Sequence, residues 1–107
     1  MRKIRLGVNI DHVATLRNAR NENFPNLLDV SKILKELQVD SITVHLREDR
    51  RHIKDKDVIA LKEKKFLPLN LEMAATREMK DFCLQILQLL HYCLVRLKFE
   101  LLPLKYF

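Results

Sequence analysis

The sequence predicts an α/β fold built on parallel strands, and three observations carry that expectation. Short aliphatic or β-branched runs recur at Ile4–Ile10, Ser41–Val44 and Leu67–Leu71. Segments with helical spacing of apolar residues lie between and after them. Each run gives way to a polar cluster rather than to a tight hairpin turn. An order of strand, helix, strand, helix, strand, helix places the strands side by side and parallel, joined by right-handed crossovers.

The elements follow in chain order. Ile4–Ile10 reads as a buried strand, with Asp11-His12 as its exit loop. Leu27, Val30, Ile33, Leu34 and Leu37 then recur at helical spacing after Pro25, a residue suited to a first helical turn. Ser41–Val44 is the second strand and runs into HLREDRRH, His45 to His52. Asp55 or Asp57 can cap a further helix carrying Val58, Ala60 and Leu61. Leu67–Leu71 is the third strand, ending at Glu72, and Thr76 precedes another helical pattern.

Composition narrows the class. With 107 residues, 48% hydrophobic and 32% charged, the chain has enough apolar surface for one small domain. One glycine and three prolines exclude collagen-like and Gly/Ser-linker sequences. No apolar stretch approaches the roughly 18 residues that span a bilayer, and no signal core follows Met1, so the expected location is the cytoplasm. Cys83 and Cys93 form no C-x-x-C pair and read as reduced, buried thiols. The net charge of +6 leaves anionic partners open, among them nucleic acid, anionic lipid and phosphorylated metabolites.

The chemistry follows from where the polar residues fall. The first strand ends at Asn9, Asp11 and His12, the second at His45 and Arg47, the third at Glu72. In parallel α/β proteins the carboxyl ends of the strands form one rim, and ligands bind there. Imidazole exchanges protons near pH 7, and a partly desolvated glutamate can be tuned toward it. Arginine forks and asparagine amides suit phosphate and hydroxyl oxygens. The joint placement points to proton transfer on a small phosphorylated substrate. Taken singly, each residue has a plainer reading: His45 or His52 as a satisfied loop histidine, Glu72 as a solvent-facing carboxylate, and REDRRH as a solvated loop with local ion pairs. Asp11, His12, His45 and Glu72 could be imagined around a metal, but no H-E-x-x-H or similar spacing supports that, and no metal is expected.

Three longer segments carry a resemblance. GVNIDHVATLRNAR (Gly7 to Arg20), TVHLREDRRHI (Thr43 to Ile53) and NLEMA (Asn70 to Ala74) are similar to pyridoxine 5'-phosphate synthase, in order and over about residues 4–80. The resemblance implies part of a TIM barrel, three to four of its eight βα units, in a family that assembles as an octamer. It implies condensation of 3-amino-2-oxopropyl phosphate with 1-deoxy-D-xylulose 5-phosphate to pyridoxine 5'-phosphate, inorganic phosphate and water, with no cofactor. Matched residue by residue, His45 and Glu72 correspond to proton acceptors, and Asn9 and Arg20 to groups that hold the aminooxopropyl phosphate. Asp11, His12, Arg47 and His52 correspond to groups that hold the deoxyxylulose phosphate. Arg20 rests on the resemblance alone.

Residues 81–107 differ from what precedes them. They hold 3 of the 20 Lys and Arg residues, 2 of the 14 Asp and Glu residues, and nine leucines. The expected division is therefore residues 1–80 as the N-terminal part of the barrel and 81–107 as an aberrant hydrophobic tail. Cys83, Leu87, Leu90, Leu94 and Leu97 fall on one helical face and predict a single amphipathic helix. His91 to Val95 are faintly similar to the family's fourth strand; no threonine follows Thr76, and the family's second-half histidine and glycine-rich phosphate loops have no counterpart. A frameshift or premature stop near codon 80 would produce such a tail, and turnover is expected to be impaired. Two other classes compete with the enzyme: an inactive barrel fragment acting through interactions, and a small basic nucleic-acid-binding module. Aromatic residues interleaved with the basic ones would favour the last, and they are absent from residues 45–52.

Overall fold

The computed structural model describes residues 4–89 and 94–97. In chain order these form β1 (Gly7–Asn9), α1 (Asp11–Arg20), α2 (Leu27–Glu36), β2 (Ser41–Leu46), α3 (Asp55–Lys64), β3 (Leu69–Met73), α4 (Arg77–Leu89) and β4 (Leu94–Leu97). The strands make one parallel sheet in the order β1-β2-β3-β4. The α/β class and the parallel order are as the sequence predicts.

Alternation along the strands separates two chemistries. Ile42, Val44 and Leu46 of β2 and Leu69, Leu71 and Met73 of β3 are buried in the core, together with Val58 and Leu61 of α3 and Met79, Cys83 and Ile86 of α4. Burial of each such side chain contributes roughly 1.5–3 kcal/mol. The intervening residues, Ser41, Thr43 and His45 on β2 and Asn70 and Glu72 on β3, are half-buried on the other face of the sheet. On β2 and β3 that face is polar throughout. Asn70 Nδ2 donates to Thr43 Oγ1 across it at 3.1 Å. Gly7 pairs with Ser41, and a Cβ at that position would stand 2.9 Å from Ser41 Oγ, so the only glycine marks a close approach of β1 to β2.

Several boundaries differ from expectation. Asp11 and His12 do not form an exit loop; they open α1. Asn9 Oδ1 accepts from the Asp11 N–H at 2.8 Å, turning the chain, and the Asp11 carboxylate lies in the first helical turn, where the helix dipole favours it. Asn21 closes α1 in the left-handed conformation (φ 53°), which asparagine tolerates. In α2 the cap is Asn26, whose Oδ1 accepts from Leu28 and Asp29 N–H at 2.8 and 3.4 Å, and Pro25 precedes it. The buried stripe of α2 contains Leu27 and Ser31, the Ser31 hydroxyl donating to the Leu27 carbonyl, while Ile33 and Leu37 of the expected apolar face are 54% and 69% exposed. Asp57 supports the start of α3 by accepting from the Lys54 N–H at 2.8 Å.

The strands also shift. β2 extends through Leu46, so His45 lies inside it. β3 begins at Leu69 because Pro68 has no N–H for the ladder, although its carbonyl accepts from Ile42 at 3.0 Å. β3 runs on through Met73, so Glu72 lies inside it. The single tail helix is overturned at its far end: Leu94–Leu97 is a strand, paired with β3 from Asn70↔Leu94 to Met73↔Leu97. Apolar spacing of three and four residues is ambiguous over so short a run, and the free edge of β3 decides it. Leu90 and His91 to Cys93 lie outside the described residues.

Candidate active site at the carboxyl ends of the strands

The register brings the two proposed proton-transfer groups together. His45 pairs with Glu72 on adjacent strands, on the same polar face, and Glu72 pairs in turn with Arg96 of β4. Adjacent strands lie about 4.8 Å apart, so His45 and Glu72 flank one position above the sheet. Two residues toward the amino ends, Asn9, Thr43 and Asn70 form the next row.

A polar network fixes the end of β1 to β2. Asn9 Nδ2 donates to Asp11 Oδ2 at 3.2 Å, and Asp11 Oδ1 accepts from the His45 N–H at 2.8 Å. The carboxylate continues the β1–β2 ladder past the last strand residue. It also holds the backbone of His45 in place.

The first turn of α1 and the segment after β2 converge on Thr15. His12 Nδ1 lies 3.2 Å and His52 Nδ1 2.9 Å from the Thr15 Oγ1, and the two rings meet edge-on with centroids 5.6 Å apart. Asn18 Nδ2 donates to the carbonyls of Arg51 and His52 at 3.2 and 2.9 Å. The Arg17 guanidinium forks onto Asp57 at 2.7 and 2.9 Å, an ion pair whose side chains are only 12% and 9% exposed. Burial pushes the His52 pKa below the usual histidine value; Asp11 opposes this, while His12, Arg51 and Arg47 reinforce it. Thr15, Arg17 and Asn18 were not singled out by sequence reasoning. The i, i+3 row of His12, Thr15 and Asn18 is visible only once Asp11–Arg20 is known to be helical, and Arg17 lies outside that row.

Arg47 follows β2 and lines a cavity of about 240 Å³ with His45, Glu48, Asp49 and Ala74. Its buried Nε makes no hydrogen bond but stands 3.4 Å from Asp49 Oδ1. The side-chain hydrogen bond from Arg51 holds the Asp49 carboxyl below the usual carboxylate range. Arg20 is not brought to this group. It lies nine residues along α1 from Asp11, about 13 Å at 1.5 Å per residue, pairs with Glu22 at 3.1 Å and lies over the Phe24 ring. A larger cavity of about 730 Å³ lies elsewhere, among Arg17, Asn26, Lys54, Lys56 and Ala60. It contains none of the residues chosen from the strand ends.

Among the described residues, no group of three or more His, Cys, Asp or Glu side chains could hold a metal ion. Among them, too, no helix is long and apolar enough to cross a membrane.

Comparison with known proteins extends the motif resemblance beyond residue 80. The family model of pyridoxal phosphate biosynthesis protein PdxJ matches residues 6–99. Pyridoxine 5'-phosphate synthase of Idiomarina loihiensis is 53% identical over 95 residues, which are 89% of this chain and 39% of that protein. The synthase of Ehrlichia chaffeensis is 56% identical over 86 residues (80% and 36%), and that of Rhodospirillum rubrum 58% over 84 (78% and 34%). The chain thus spans between a third and two fifths of the length of these curated relatives. With four parallel βα strands in sequence order and a match over nearly all its residues, the chain belongs to the PdxJ family of pyridoxal phosphate biosynthesis proteins.

Proposed function

We propose that this chain carries the first-half part of a pyridoxine 5'-phosphate synthase site, for condensation of 3-amino-2-oxopropyl phosphate with 1-deoxy-D-xylulose 5-phosphate. The observation that carries the reading is the pairing of His45 with Glu72 on the polar face, beside the Asn9–Asp11 network and the His12–His52 pair. Imine formation, dehydration and aromatisation each move protons, and an imidazole and a carboxylate flanking one position can accept them in turn. Asp11, His12, Arg47 and His52 would hold the deoxyxylulose phosphate, the arginine pairing with phosphate oxygens. Asn9 and Arg20 would hold the aminooxopropyl phosphate, with Arg20 reaching it only if the loop after α1 or a neighbouring chain carries it there.

The sheet order, with helices packed on one face, supports a partial (β/α)8 barrel, and family membership supports a cytoplasmic, octameric setting without a cofactor. Turnover by the 107 residues alone would be low, because the reading assigns a proton-donor histidine and glycine-rich phosphate loops to parts of the family pattern not matched here. Calorimetric titration of the chain with 1-deoxy-D-xylulose 5-phosphate tests the reading. Binding that Arg47→Ala weakens about tenfold, the scale of one charge-assisted hydrogen bond, is expected. Equal affinity in both chains would dismiss Arg47, and no binding to either would dismiss the site.

A further inference from the structure

Both rim histidines direct the same ring nitrogen at one hydroxyl. Thr15 Oγ1 lies 2.9 Å from His52 Nδ1 and 3.2 Å from His12 Nδ1, and its third neighbour is the Asp11 carbonyl oxygen at 3.4 Å. A threonine hydroxyl has one proton to give and two lone pairs to receive. The Asp11 carbonyl can only accept. If the proton goes to that carbonyl, both imidazoles must donate from Nδ1. If it goes to one imidazole, the other must donate. Every arrangement that satisfies both imidazole contacts therefore has at least one ring protonated on Nδ1, and in its neutral form that ring has a bare Nε2.

The surroundings hold the rings in this relation. The His52 carbonyl is tied to Asn18, the rings meet at an interplanar angle of 69°, and Thr15 is itself half-buried on α1. The charged and titratable groups acting on His52 are Asp11, His12, Arg51 and Arg47. These act on His52 through space, whereas a neutral tautomer is fixed by a directional hydrogen bond to a ring nitrogen, and the Thr15 hydroxyl supplies one at Nδ1.

We propose that Thr15 is a positioning residue of this site, its hydroxyl fixing the orientation and tautomers of His12 and His52. At least one bare Nε2 is thereby presented to the hydroxyl groups of a sugar phosphate. When the Thr15 proton goes to the other ring, that ring presents an Nε2–H to an acceptor oxygen. The inference rests on the reading that these histidines hold the deoxyxylulose phosphate, and it adds a residue and a reason that the reading lacks.

Long-range nitrogen–proton spectra of the histidine rings in the full 107-residue chain test it, with Thr15→Val and Thr15→Ser beside the parent. The parent and Thr15→Ser should show an Nδ1-protonated tautomer for His12 or His52, and Thr15→Val should lose it. Titration with 1-deoxy-D-xylulose 5-phosphate should then be about tenfold weaker for Thr15→Val and unchanged for Thr15→Ser. Identical ring tautomers in parent and Thr15→Val, folded or not, overturn the inference even if the sugar phosphate binds. A serine variant that behaves like valine overturns it as well. A tautomer change with no binding by any of the three chains upholds the role of the hydroxyl and sinks the functional reading instead.

Discussion

The two faces of the same strands teach different lessons. On β2, Ile42, Val44 and Leu46 are at most 1% exposed, while Ser41, Thr43 and His45 between them stay half-open to solvent. One face binds the sheet to α3 and α4, and the other carries the proposed site. Stability and the proposed proton transfer are thus assigned to alternate residues, so they can be damaged separately.

The largest effect should come from the packed face. Leu71→Ala removes a fully buried side chain from the centre of β3 and should cost about 2–5 kcal/mol, measured by urea unfolding. A loss below 1 kcal/mol would mean that the helices do not pack on the sheet as described. Next is the clamp between α1 and α3. Arg17→Ala leaves the Asp57 carboxylate mostly buried without its forked partner and should cost about 3 kcal/mol. A surface-like loss of a few tenths would separate α1 from the core.

A smaller, pH-dependent effect belongs to His52. Its folded pKa is depressed, so the folded chain binds fewer protons than the unfolded one near pH 6.5. Its contribution is present above the unfolded value and is lost as pH falls through about 6.5 toward the lower folded value. The unfolding midpoint of the parent should drop more between pH 7.5 and 5.5 than that of His52→Gln. Parallel curves would show that burial does not act on this ring. The smallest effect should come from the open face: Glu72→Gln should change stability by no more than about 0.5 kcal/mol. A larger loss would mean that the carboxylate supports the fold and would weaken its assignment to proton transfer.

The sequence was legible to different depths on the two faces. The apolar alternation of SITVHL and LNLEM identifies the strands, and polar residues at their ends identify the rim. The pairing of His45 with Glu72 is a matter of register, which depends on contacts between segments more than twenty residues apart. Helix α1 was hidden because Asp11-His12 has the polarity of a loop, and its start depends on the Asn9 side chain rather than on an ordinary cap. Thr15, Arg17 and Asn18 were hidden with it. β4 was masked for the opposite reason, since leucines at helical spacing also suit a strand when a parallel partner is waiting.

One feature of β1 reaches beyond the site. The Ser41 N–H bonds to the Leu6 carbonyl, and the Ile10 N–H bonds to the Thr43 carbonyl, so residues 6 and 10 face β2 and alternation turns the backbone groups of Gly7 and Asn9 the other way. Among the described residues no strand receives them, and Ile4 and Leu6 beside them are 93% and 58% exposed. A row of unanswered donors and acceptors next to greasy side chains is a template for growth. The concentration at which this chain is handled therefore becomes a structural variable: dilute samples keep that border open, and crowded ones invite another strand to extend it.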